Sequence, residues 1–185
     1  MNGLAGMVMN LDELFAKIEL AASQAFLLVR KKYPGQDFCG YALCLDPDAV
    51  TVAPSVNSVG HLQKMIGDDP DDAVYYRWSP GEWDHEFEGA EFFKGISASL
   101  RNEAKKIDSE DKREAFRSRV YECCVAALES LRSKGFFSDM NDAGVLVFTI
   151  SDAENALESD WIARLNRPDL AEEFRGWIAS LKSSR

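Results

Sequence analysis

Two apolar runs, Phe38-Cys39-Gly40-Tyr41-Ala42-Leu43-Cys44-Leu45 and Val145-Leu146-Val147-Phe148-Thr149-Ile150, do most to limit the folds open to this chain. Each is apolar on both alternations, so neither face of the strand it would form can be left to water. The first reads as a strand covered on both faces or central in its sheet. The second reads as a buried strand of the same sheet. A sheet of that kind needs helices to cover it, and the remaining chain supplies them.

Asn10-Leu11-Asp12-Glu13 is a capping box, and Leu11, Leu14, Phe15, Ile18, Ala22, Ala25, Leu28 and Val29 continue a helical stripe up to Tyr33-Pro34-Gly35. After the first apolar run, Asp46-Pro47-Asp48 turns the chain and Val50 to Pro54 returns as a hairpin strand, which Pro54 limits by removing a ladder donor. Ser58 caps a short helix carrying Leu62, Met65 and Ile66. Phe93, Ile96, Leu100, Ala104 and Ile107 mark one helix and Phe116, Val120, Cys123, Ala127, Leu128 and Leu131 another, and these two are expected to pack as an antiparallel pair. Ser151-Asp152-Ala153-Glu154 is a further capping box, leading a helix with Leu157, Trp161, Ile162 and Leu165, and Pro168 opens the last helix with Leu170, Phe174, Trp177, Ile178 and Leu181. The expected fold is α+β: an antiparallel or mixed sheet of about four strands covered by about six helices. It forms a single domain over residues 1–185, with residues 1–9 a flexible leader.

Charge limits the partners. The chain carries 31 acidic and 21 basic residues, a formal charge of -10, whereas nucleic acid and anionic membrane both require a concentrated cationic face. No apolar run approaches the ~18 to 20 residues that span a bilayer, and the first residues lack a basic region and a long apolar core. The expectation is a cytoplasmic protein that binds neither nucleic acid nor membrane and whose allowed partner is a basic protein.

The most unusual stretch runs from Tyr75 to Glu86, where Tyr75, Tyr76, Trp78 and Trp83 fall beside charges of both signs and His85. Val74 to Trp78 is rich in aromatic and β-branched types and predicts a short strand. Ser79-Pro80-Gly81-Glu82 has the spacing of a capped helical turn, with Trp83 folding back against the strand end. Tyr75, Tyr76, Arg77, Trp78, Ser79, Pro80 and Trp83 are therefore expected to be structural, with one tryptophan against the sheet and the other against a helix. Acidic groups lie on both sides: Asp68, Asp69, Asp71 and Asp72 before, and Glu82, Asp84, Glu86 and Glu88 after. With His85 they form the candidate binding face for a basic partner.

No catalytic signature competes with this reading. There is no HExxH, no glycine-bearing acidic calcium loop, no GxSxG and no phosphate-cradling glycine pattern. Cys39, Cys44, Cys123 and Cys124 lack CxxC spacing and read as buried free thiols, so neither metal nor cofactor is expected. The alternative is a small-ligand protein or enzyme using Glu82, Asp84 and His85 beside the Trp78 and Trp83 rings, which predicts a concave pocket with convergent polar groups.

Tyr41 to Asp46, Val52 to Ser58 with His61-Leu62, and Tyr75-Tyr76-Arg77-Trp78-Ser79-Pro80-Gly81-Glu82-Trp83 together resemble a bacterial domain-of-unknown-function family of small, acidic, cytosolic proteins. The likeness is densest over residues 38 to 93. It implies membership and no particular chemistry. Proteins of this kind in turn resemble the immunity proteins of polymorphic-toxin systems, which implies, by analogy alone, a toxin as the basic partner.

Overall fold

The computed structural model describes residues 10–140, 144–151 and 156–183. The expected leader lies outside these residues, as do Asp152, Ala153 and Glu154 of the capping box proposed before the sixth helix. The order is α1 (Leu11–Lys32), β1 (Phe38–Leu45), β2 (Val52–Ser58), α2 (Val59–Asp68), α3 (Ala73–Trp78), β3 (His85–Glu86), α4 (Lys94–Ala104), α5 (Glu110–Ser133), β4 (Val145–Ile150), α6 (Glu158–Leu165) and α7 (Pro168–Ser183). Short 3-10 turns fall at Pro70–Asp72, Pro80–Glu82 and Ala90–Phe93. The protein is α+β, with a mixed sheet in the order β3-β2-β1-β4 in which only the β1 and β4 pairing is parallel.

Local chemistry fixes the first helix. The Asn10 carboxamide oxygen accepts from the N–H groups of Asp12 and Glu13 at 3.0 and 3.3 Å, Asp12 and Glu13 sit at the positive end of the helix, and Arg30, Lys31 and Lys32 sit at the negative end. Its buried stripe, from Leu14 and Ile18 through Ala25 to Val29, lies on the sheet. Strand alternation then sorts the two faces. Tyr41, Leu43, Leu45, Val52, Val56, Leu146, Phe148 and Ile150 point to the side covered by α1 and α5. Ala42, Val145 and Val147 point to the other side and join Trp78, Trp83, Ile162 and Phe174 in a smaller core. The Tyr41 hydroxyl donates to the Ala22 carbonyl at 3.0 Å, which ties the central strand to α1 without leaving a buried hydroxyl unpaired.

The outer edge of β4 is closed by a side chain. Asn166, just after α6, accepts from the Leu146 N–H at 2.8 Å and donates to the Leu146 carbonyl at 2.7 Å, so one carboxamide satisfies a rung of an otherwise open edge. Trp161 of α6 packs edge-on against Phe148 at 4.7 Å.

Three local expectations are corrected. Residues 74–78 form helix α3 and not a strand, because the aromatic and β-branched types there report half-burial and not backbone conformation. On a helix Tyr75 and Trp78 share one face, and they meet Trp177 and Phe174 of α7 at 6.2 and 5.2 Å between ring centroids. Pro54 does not limit its strand, which runs on to Ser58. Its carbonyl points away from β1 and accepts from the Phe87 N–H at 3.0 Å, so its ring nitrogen faces the same way and no rung with β1 is lost. Finally, α5 packs along α1 in preference to α4. Its wide buried face, from Phe116 through Cys124 to Leu131, matches the small Ala21, Ala22 and Ala25 of α1, while α4 buries only Ile96, Ser97 and Leu100.

Candidate functional site

Strand β3 divides the acidic residues between the two sides of the sheet. His85 pairs with Val56 and faces α1, whereas Glu86 pairs with Ser55 and faces α3 and α7. On the α1 side the charges are spent on structure. Asp84 accepts from the Ser58 N–H at 3.0 Å and its hydroxyl at 2.6 Å, holding the residue that caps α2 through the His61 N–H. His85 stacks on Tyr33 at 4.2 Å, with Nε2 2.8 Å from the Gln36 Oε1. Glu88 accepts from Lys32 at 2.8 Å and from the Tyr33 hydroxyl at 2.6 Å, and these two donors hold its carboxyl below the usual value.

Close backbone approach completes this clip. Gly89 has a φ of 85°, and a Cβ there would lie 2.6 Å from the Ala25 Cβ, so only glycine lets the segment reach α1. Gly40 plays the same part on the other face, where a Cβ would meet the Trp83 ring at 2.9 Å. Trp83 thus lies on the sheet, with its indole N–H donating to the Tyr76 carbonyl at 3.2 Å. Trp78 lies against α7 and donates to the Glu173 Oε1 at 2.8 Å. Arg77 pairs with the same Glu173 at 2.7 Å, so that carboxylate is neutralised internally. Ser79 makes no side-chain cap bond, and Pro80 is buried with its carbonyl accepting from the Ser55 hydroxyl at 2.9 Å.

Of Glu82, Asp84 and His85, the last two lie together, with Asp84 Oδ2 3.4 Å from His85 Nε2, while Glu82 makes its bonds elsewhere. Glu82 turns back to α3, where its carboxylate accepts from the Tyr75 hydroxyl at 2.8 Å and its carbonyl lies 2.8 Å from His61 Nε2. That carboxylate, then burial, pushes the Tyr75 phenol up to about 12. Asp68, Asp71 and Asp72 remain exposed and Asp69 half-buried on the approach to α3.

On the α3 and α7 side, by contrast, a cleft of about 540 Å³ stays open. Its floor is Cys44 and Thr149, opposite each other in the β1 and β4 register. Its walls are Tyr75 and Trp78 from α3 and Phe174, Trp177 and Ile178 from α7, and its rim carries Glu86, Phe87 and Glu158. Glu86 has no hydrogen-bonding or ion-pair partner among the described residues. Glu158 accepts from the Thr149 hydroxyl at 2.8 Å, and burial raises its carboxyl against the opposing pull of that bond. No Lys, Arg or His lines the cleft among the described residues. Burial and the charge of Glu86 push the Cys44 thiol up to about 12, which leaves it protonated and a poor nucleophile.

Phe87 is the least expected of these residues. Its φ is 63°, a left-handed conformation that a bulky side chain adopts only at a cost, yet its ring is 56% exposed. Leu157, beside Glu158, and Leu181, one turn beyond Trp177 and Ile178 on α7, are also exposed large apolar side chains. Cys44, Phe87, Thr149, Glu158 and Trp177 escaped the sequence reading as site residues, because they come from five separate elements with no shared spacing. The one available signal was Phe87 itself, a large apolar residue between two glutamates.

A family model for a domain of unknown function, DUF4303, matches residues 18–167. The chain belongs to that family. No curated protein and no solved structure matches it. The DUF4303 match takes in the cleft floor, α3, the Phe87 segment and α6, whereas the α7 wall, with Phe174, Trp177 and Ile178, lies beyond its end. Among the described residues of this DUF4303 chain no group of three or more His, Cys, Asp or Glu could hold a metal, and no helix is long and apolar enough to cross a membrane.

Proposed function

We propose that the protein is a non-enzymatic binding module that docks a basic protein partner over the cleft between α3, β3 and α7. The observation that carries this reading is the composition of the cleft: aromatic walls and, among the described residues, two carboxylates without a cationic partner and no basic residue in the lining. Tyr, Trp and Phe concentrate binding energy at interface centres, and the exposed Phe87 and Leu157 supply apolar surface that a partner would cover. The exposed Asp68, Asp71 and Asp72 give the approach to α3 a negative field that accelerates encounter with a basic surface. A basic toxin neutralised in a bacterial cytoplasm is the instance implied, by analogy alone, by the resemblance of small acidic proteins of this kind to immunity proteins. Nucleophilic catalysis is disfavoured by the protonated Cys44 thiol and by a lining that holds no histidine among the described residues.

The test is capture of a partner from host extract with the wild-type chain and with Glu86→Lys and Phe87→Ala. Both variants are expected to lose the partner while melting like the wild type. Association should slow by about tenfold or more when salt rises from about 0.05 to about 0.5 M. Capture that survives both substitutions, or a rate flat in salt, overturns the reading.

A further inference from the structure

The cleft is built for one kind of group. Its negative charge is split between Glu86, on the β3 rim, and Glu158, which reaches the floor through Thr149. A compact ammonium is a point charge, whereas a guanidinium presents five N–H donors in a plane and can serve two separated carboxylates at once. The walls match the same geometry. Tyr75 and Trp177, 6.2 Å apart between ring centroids, are both only half-buried, so each leaves ring surface to the cleft on which a flat cation can lie. The cation already present nearby does not fill this role, because Arg77 is drawn off to Glu173 beneath Trp78.

The rim decides between a free small molecule and a side chain of a larger one. A small ligand would sink between Trp177 and Thr149 and leave Phe87, 56% exposed, and Leu157, 48% exposed, in water. Holding Phe87 at a φ of 63° costs stability, while more than half of the residue stays in water in the isolated chain. A partner chain laid across the rim covers both residues. We infer that the cleft receives a single arginine side chain from a basic protein partner, its guanidinium held between Glu86 and Glu158 against the Trp177 ring, with Phe87 covering the backbone that carries it. This rests on the binding-module reading and gives it a chemical specificity that negative charge alone would not.

The experiment uses the full chain and three capped tripeptides, Ala-Arg-Ala, Ala-Lys-Ala and Ala-citrulline-Ala, followed through the indole N–H resonances of the tryptophans, with Trp177 assigned from Trp177→Phe. Arginine peptide should shift Trp177 saturably, lysine peptide should bind roughly fivefold or more weakly, and the uncharged citrulline peptide should leave the resonance in place. Glu158→Gln keeps the bond from Thr149 and hence the fold, yet should weaken the arginine peptide about tenfold, whereas Asp71→Asn should change it less than about twofold. Equal response to arginine and citrulline, or no saturable shift up to about 50 mM peptide, overturns the arginine assignment. If that happens while capture of a whole partner still depends on Glu86 and Phe87, the binding module stands and only its specificity falls. Saturable arginine binding together with capture indifferent to Glu86 and Phe87 would overturn the partner instead.

Discussion

On the side of the sheet covered by α1 and α5, the strands present Tyr41, Leu43, Leu45, Leu146, Phe148 and Ile150, and the helices bury them in the larger core. On the side facing α3 and α7, the strands present Val145 and Val147 but otherwise Gly40, Ala42, Cys44, Ser55 and Thr149, with Cys44 and Thr149 at the cleft floor. Small and polar side chains there do not fill the distance to α7, and the cleft is the unfilled remainder. Asp84 and Glu88 are consumed by Ser58, Lys32 and Tyr33, and on the α3 and α7 side Glu82 and Glu173 are consumed by Tyr75 and Arg77. At the cleft, among the described residues, Glu158 has only the Thr149 hydroxyl and Glu86 has no partner. A sheet can thus bury one face and leave a cleft on the other, because strand alternation lets the two faces be chosen independently.

Cutting into each face in turn is the strongest test of this contrast. Phe148→Ala removes a fully buried ring that packs on Tyr121 and Trp161 and should cost about 3 to 5 kcal/mol in denaturant melts. Trp177→Ala, on the open face, should cost less than about 1.5 kcal/mol, because its ring is only half-buried. Equal losses would mean the cleft face carries as much stability as the core face. Gly89→Ala comes next, at about 2 to 4 kcal/mol, since the new Cβ meets α1 backbone and side chain and the φ of 85° is strained for alanine.

The pH dependence separates the faces by sign. Glu88, with its carboxyl lowered by Lys32 and Tyr33, adds stability above the ordinary value of 4.5 that is lost as pH falls through its folded value. Glu158, with its carboxyl raised by burial, favours folding while protonated, and that contribution is lost as pH rises from 4.5 through its folded value. Melts of Glu88→Gln should therefore show a shallower acid limb than wild type, and melts of Glu158→Gln a smaller loss on going from acid toward neutral pH. Each effect should stay under about 1 kcal/mol, given the partial exposure of both sites. The smallest change in stability sharpens the contrast most. Phe87→Gly relieves a left-handed conformation and should leave stability unchanged or raise it by up to about 1 kcal/mol, while abolishing partner capture. A drop in melting temperature would place the Phe87 ring in the core and remove it from the proposed site.

The two core strands, the capped first helix and the helical stripes were legible because each rests on periodicity within a few turns of chain. Misreading residues 74–78 has the opposite origin. Tyr75 and Trp78 answer to what α7 presents to them, and the partner residues Trp177 and Phe174 lie about a hundred positions away. Most of the candidate site was hidden for the same reason. Glu82, Asp84 and Glu86 look equivalent in the sequence, but one is held by Tyr75, one by Ser58 and the third is left unpaired.

The sequence by itself determined that this chain folds as a helix-covered sheet, that its cysteines lack metal spacing, and that its net charge is negative. These follow from composition and from periods of two and 3.6 residues, which need no knowledge of what lies across the core. Only the tertiary structure decided which carboxylates are spent and which are free, and that Cys44, Thr149, Glu158, Phe87 and Trp177 meet around one cleft. That outcome depends on the parallel pairing of β1 with β4 and on α7 reaching back across the sheet to α3, contacts made over long sequence separations.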